Sequence, residues 1–180
     1  MKPILLPLVP CLLTASACTD RGAESAPQAQ QDIILPVDFS RVSIRDGFWS
    51  PRLEKLSDST LPVCIDQIEN RTGRIRNFEN AAKGSGKHSG IFFDDSDVYK
   101  ALEGISYSLI NNPDPRLRRT ADQWVAKIAA AQQPDGYINT YYTLTGLDKR
   151  WTDMDKHEMY CAGHMIEAGI AYLLATGDRT

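Results

Sequence analysis

The chain has 180 residues, 42% of them hydrophobic and 24% charged, a balance that suits one globular domain with a real core. A net charge of −3 leaves no electrostatic footprint for nucleic acid or for an anionic membrane surface, and it argues against a polyanionic substrate.

Lys2 precedes a mostly apolar run from Ile4 to Leu13, interrupted by Pro7 and Pro10, and Ala15-Ser16-Ala17-Cys18 follows. Residues 1–18 read as a signal peptide, too short to span a bilayer permanently. The small residues before Cys18 resemble a bacterial lipobox, so Cys18 is the expected lipidation site, with plain cleavage after Ala17 as the alternative. The expectation is an exported periplasmic or outer-membrane lipoprotein that meets the membrane only through this anchor. Cys64 and Cys161 then remain in the fold, too few for a disulfide framework. Residues 19–32, polar and without apolar periodicity, predict a disordered tether, and the folded domain is expected over 33–180.

Ile33 to Val37 and Val42-Ser43-Ile44 predict short β segments along a rim. Ser50-Pro51 opens a helical pattern that reaches Asn70, with a break expected near Pro62. From Arg71 to Gly90 no period is sustained, which predicts a long loop able to line a site. Asp95 or Ser96 starts the next helix, whose Val98, Leu102, Ile105 and Leu109 share a face until Asn111-Asn112-Pro113 stops it. Asp114-Pro115 caps another, with Leu117, Ala121, Trp124, Val125 and Ile128 as its buried face. After the Pro134-Asp135-Gly136 turn, Tyr137 to Tyr142 predicts a short strand, and Met154 to Thr176 a last helix closed by Gly177. Antiparallel helices joined alternately by turns and loops predict an all-α toroid of hairpins with β segments only at the rim, and the stop at Thr180 predicts that more of it follows.

The chemistry concentrates in the last helix. At helical spacing His157, Cys161 and His164 share a stripe with Tyr160 beside them, while Ile166, Ile170 and Leu173 fall opposite, so burial on both sides is expected. A zincin motif fails because Cys161 stands where the second histidine belongs. Three ligands along one straight helix would span about 10 Å, too wide for a tetrahedral ion, so no metal is assigned to this stripe. Cys161 is either a thiol activated by His157 or a small buried residue. Asp94, Asp95 and Asp97 crowd a helix N-terminus beyond what capping requires, which makes Asp95 and Asp97 candidate substrate contacts. Glu158 either holds a sugar hydroxyl or solvates the first turn, and Tyr137 and Asn139 are sugar-facing residue types.

Taken in order, Phe48-Trp49, Thr72 to Ile75 with Asn77-Phe78, Phe93 to Lys100 with Leu102-Glu103, Gln132 to Tyr142 and His157 to Ala168 resemble glycoside hydrolase family 127, the β-L-arabinofuranosidases, from about Val42 to Thr180. The resemblance implies the front part of an (α/α)6 barrel, incomplete here and followed by a β-domain. It implies an exo-acting, retaining glycosidase removing β-L-arabinofuranose from plant cell-wall glycans. In that family a cysteine thiolate attacks, beside a zinc held by further cysteines and a glutamate, and another glutamate is the acid/base. The resemblance places all of these downstream of Thr180, so no catalytic residue and no zinc ligand is assigned within this sequence. As sugar-hydroxyl partners it carries over Gln67, His157 and His164, with Glu158, Tyr160, Asp95 and Asp97 added from the residue reading. Two other functions fit the same pattern less fully. One is a different α/α-toroid enzyme, an unsaturated glucuronyl hydrolase or polysaccharide lyase, which calls for more Arg and Lys near the site. The other is a non-catalytic glycan-binding lipoprotein.

Overall fold

Everything regular in residues 34–180, the part described by this computed structural model, is helical, and among the described residues no β-strand forms. Cys18, the predicted leader and the predicted tether lie outside the described residues. From Val37 onward the chain folds as one unit. Its helices are α1 Ser50–Lys55, α2 Leu61–Asp66, α3 Arg74–Lys83, α4 Asp95–Asn111, α5 Pro115–Ala130, α6 Thr140–Thr145 and α7 Glu158–Thr176. None is long and apolar enough to cross a membrane.

The expected break near Pro62 does not occur. Wider π-helical turns over Leu56–Thr60 and Gln67–Arg71 join α1 to α2 and carry the helix on to Arg71. Proline supplies no N–H to the preceding turn, and a π-turn just before it absorbs the lost bond without ending the helix.

The predicted loop from Arg71 to Gly90 is replaced in its first half by α3. Gly73 and Gly84, both left-handed, bracket this helix, and Ile75, Phe78 and Ala81 are its buried apolar residues. Asn77 breaks up that apolar pattern in the sequence, yet it is buried. Its amide donates to the Ser89 carbonyl at 2.9 Å and its oxygen accepts from the Ser89 N–H at 3.0 Å, tying the returning loop to α3.

The helix α4 is the centre of the domain, packing against α2, α3, α5 and α7. Val98, Leu102, Ile105 and Leu109 are all buried, as their spacing predicts. On α5 the Asp114 carboxylate accepts the Arg116 N–H at 2.7 Å as the cap, and Leu117, Ala121, Trp124 and Ile128 face inward. Trp124 is wholly buried, and its indole N–H donates to Glu69 at 2.8 Å, so its bulk fills the core at no cost in an orphaned donor. Cys161, Ala168, Ala171 and Tyr172 form the inner face of α7, where small residues let it approach α4 closely.

Three further expectations are corrected. Residues 137–142 are not a strand: Asn139 accepts the Tyr142 N–H at 3.0 Å and starts α6. The segment Val42-Ser43-Ile44 forms no strand. The last helix begins at Glu158, because His157 adopts left-handed φ 60 after a 3-10 turn over Met154–Lys156. Nor is α7 buried on both sides, since Ile166 and Ile170 are 57% and 52% exposed.

Candidate functional site

The N-terminal end of α7 builds a concave surface from two backbone irregularities and one buried carboxylate. Trp151 (φ 62) and His157 (φ 60) are the non-glycine residues in the left-handed region among those described. Each such residue costs roughly 1–2 kcal/mol, so the surrounding contacts must hold both in place. Glu158, only 6% exposed, is the main tie. One of its oxygens accepts from the Tyr137 hydroxyl at 2.5 Å and the other from the Trp151 N–H at 2.6 Å. Burial, and then the hydrogen bond to Glu158, push the Tyr137 phenol far above its ordinary value, so it remains a donor.

Held this way, Trp151, Asp153, Met154, His157, Glu158, Met159 and Tyr160 line a cavity of about 400 Å³. The His157 ring rests between Phe92, Phe93 and Tyr160, with centroids 5.7, 5.2 and 5.8 Å away. Its Nδ1 lies 2.7 Å from the Asp155 carbonyl oxygen. A carbonyl only accepts, so Nδ1 carries a proton, and in the neutral ring Nε2 is left as an acceptor.

Of the residues singled out in the sequence, His157, Glu158 and Tyr160 meet at this cavity. The others lie elsewhere. Gln67 is exposed in the second π-turn, where its carbonyl accepts from Thr72. Asp95 is buried, and its two oxygens accept from the Thr140 hydroxyl at 2.5 Å and the Thr140 N–H at 2.7 Å. Burial raises its carboxyl to about 6, against the pull of those bonds. Asp97 and Asp94 clamp Arg74 at 2.8 and 3.2 Å. The Asp94 carboxylate also accepts the Ile91 N–H, so close beneath Gly90 (φ 98) that a Cβ there would sit 1.9 Å from its oxygen. The acidic run thus fastens α3, α6 and the 84–92 loop to the start of α4. His164 sits one turn beyond Tyr160, whose ring packs edge-on against it at 4.6 Å.

Cys161 does not pair with His157. It is 1% exposed, its thiol donates weakly to the Phe93 carbonyl at 3.7 Å, and burial pushes it up to about 12. A thiol so placed stays protonated and packs. Neither described cysteine belongs to a group of side chains able to hold a metal, so the thiolate-rich zinc set implied by the family resemblance is not supplied by the described residues.

Sequence reading missed Trp151, Asp153, Met154 and Met159 as cavity walls. A left-handed tryptophan in a polar loop leaves no periodic trace, though Gly146 to Lys156 is long enough to have drawn notice.

The β-L-arabinofuranosidase GH127 catalytic-domain family model matches residues 41–180. The non-reducing end β-L-arabinofuranosidase of Bifidobacterium longum subsp. longum is 35% identical over 164 residues, covering 76% of this chain and 24% of that protein. Among solved structures, Ara127N-Se, a GH127 β-L-arabinofuranosidase from Geobacillus stearothermophilus T6, superposes with a TM-score of 0.74 at 42% identity, covering 77% of this chain and 23% of that one. The GH127 β-arabinofuranosidase BT3674 gives a TM-score of 0.72 at 41% identity, over 80% and 24%. The chain spans about a quarter of the length of these relatives. Because the family match runs through every helix from α1 to α7 and through the cavity at the start of α7, the chain belongs to the GH127 β-L-arabinofuranosidase family.

Proposed function

We propose that this chain is the sugar-holding, N-terminal part of an (α/α)6-barrel glycosidase, an exo-acting, retaining β-L-arabinofuranosidase acting on plant cell-wall glycans. The observation that carries the reading is the cavity lined by His157, Trp151 and Tyr160, within a chain whose family relatives bear that activity in their names. An aromatic wall offers its face to the C–H side of a sugar while a fixed polar group reads a hydroxyl. Trp151 and Tyr160, 55% and 42% exposed, supply the wall. His157 supplies the polar group, since its free Nε2 accepts from a furanose hydroxyl while Asp155 holds the ring's other nitrogen. Glu158 is a positioning residue, its carboxylate spent on Tyr137 and Trp151. No nucleophile is assigned, because the Cys161 thiol is buried and protonated. No step is drawn through zinc, because the described cysteines do not fit it. In the same reading Cys18 is acylated after export, and mass spectrometry of the mature N-terminus would overturn this by finding an unmodified residue 18 or an uncleaved leader.

The test is turnover of p-nitrophenyl β-L-arabinofuranoside by the full-length protein and by His157→Ala. Losing one hydrogen bond to a bound hydroxyl costs ~1–3 kcal/mol of transition-state binding, so kcat/KM falls roughly tenfold to a hundredfold with the fold intact. Wild-type protein that releases no arabinose, or that acts on unsaturated uronides instead, overturns the reading. Full activity in His157→Ala removes the histidine from it.

A further inference from the structure

Where α7 crosses α4, one turn beyond the cavity wall Tyr160, three potential ligands converge. One ligand atom each from Glu103, His164 and Glu167 lies within 4.8 Å of the others. Glu103 comes from α4, and His164 and Glu167 follow one another at i, i+3 on α7, so two helices present the set from facing surfaces. Carboxylate and imidazole groups at i, i+3 on facing helices recur as metal sites inside helical bundles.

Two features separate this group from an ordinary charged surface. The first is the imidazole: His164 Nδ1 is buried and makes no hydrogen bond, although a Glu167 oxygen lies 3.2 Å away, outside hydrogen-bonding alignment. A buried nitrogen without a partner costs free energy that a bound ion would recover. The second is charge. Two carboxylates share the site, and among the described residues neither pairs with a lysine or arginine. Lys100, one turn away on α4, is directed to the Tyr160 hydroxyl at 2.9 Å and to Asp97 at 3.6 Å. Like charges brought together without a cation between them repel.

We propose that Glu103, His164 and Glu167 form a thiolate-free, three-ligand site for a divalent transition-metal ion, zinc foremost, at the seam of α4 and α7. One nitrogen and two carboxylate oxygens suit zinc, cobalt or manganese, whereas calcium and magnesium take all-oxygen shells. Around a tetrahedral zinc with bonds of ~2.0–2.2 Å, ligand atoms lie roughly 3.3–3.6 Å apart. Glu103 is half-buried and Glu167 is 61% exposed, and both side chains have the rotatable bonds to close the remaining ångström. In this assignment His164 is a metal ligand rather than a sugar partner. The site does not depend on the arabinofuranosidase reading, which rests on His157.

The test uses the 180-residue chain, stripped with chelator and titrated with zinc by calorimetry and with cobalt by absorption. The expected result is one ion per chain, with affinity lowered at least tenfold in Glu103→Gln and in Glu167→Gln and unchanged in Cys64→Ala and Cys161→Ala. The cobalt spectrum should show ligand-field bands without thiolate charge transfer. Absence of binding at millimolar metal overturns the proposal. So does wild-type affinity in both glutamine variants, or loss of binding in Cys161→Ala. Circular dichroism checks that the glutamine variants fold. If they do not, the wild-type cobalt spectrum decides, because a thiolate band there refutes the ligand set directly.

Discussion

Replacing Glu158 with glutamine probes the joint between the fold and the cavity. The carboxylate is buried and accepts from two donors, Tyr137 Oη–H at 2.5 Å and the Trp151 N–H at 2.6 Å, both charge-assisted. Glutamine keeps one accepting oxygen and turns an NH₂ group toward the other donor, so one bond survives in weakened form and the other becomes a donor facing a donor. At ~1.5–3 kcal/mol for a charged hydrogen bond, the summed loss is ~2–4 kcal/mol. For a domain of this size each kcal/mol moves Tm by ~3–4 °C, so Glu158→Gln should melt roughly 10 °C below wild type. Because Trp151 sits in a left-handed conformation, freeing its N–H should also relax the 151–157 segment, and tryptophan fluorescence should report a more solvated indole before global unfolding. Tyr137→Phe removes one of the two bonds, so in a double-mutant cycle the pair should couple by ~1–2 kcal/mol. A Glu158→Gln variant within ~0.5 kcal/mol of wild type, or strictly additive effects, would refute the claim that this carboxylate holds the cavity wall.

Asp95 predicts an unusual pH response: its folded carboxyl, raised from 3.8 to about 6, holds its proton more tightly than the unfolded one. The stability it contributes is therefore present below pH ~4 and lost as pH rises through ~6, a loss of ~3 kcal/mol that Asp95→Asn should remove from the Tm profile. Exposed carboxylates held low by their partners, Asp66 by Asn70 and Asp135 by Arg150, act oppositely and only below about pH 4, so the two windows separate. Cys161 should resist iodoacetamide in the folded chain while the half-buried Cys64 reacts first, and equal rates would contradict the buried, protonated thiol. The exposed Met159, Ile166, Ile170 and Leu174 of α7 should bind a hydrophobic dye and promote self-association of the 180-residue chain, and Ile166→Gln with Ile170→Gln should reduce both with little change in Tm. Sedimentation that shows a monomer with no dye binding would contradict that patch.

The helical character of this protein, the α4 and α5 stripes and the Asp114 cap of α5 are local facts, legible because apolar residues recur at 3.6-residue spacing and Asp-Pro opens α5, whereas α4 starts after Asp94 with no side-chain cap bond from the expected Asp95 or Ser96. His157, Glu158 and Tyr160 were legible as neighbours because they are adjacent in the chain. What each side chain does was decided in three dimensions. Asp95 reads as a surplus acid until Thr140, 45 residues away, takes both its oxygens. Tyr137 to Tyr142 reads as β-branched and aromatic until Asn139 caps a helix, because a weak local propensity yields to a side chain that satisfies free N–H groups. The shared stripe of His157, Cys161 and His164 dissolves for the same reason. One left-handed residue turns His157 out of the helix, close packing on α4 consumes Cys161, and His164 is left with Glu103, a partner 61 positions earlier that only helix crossing brings near.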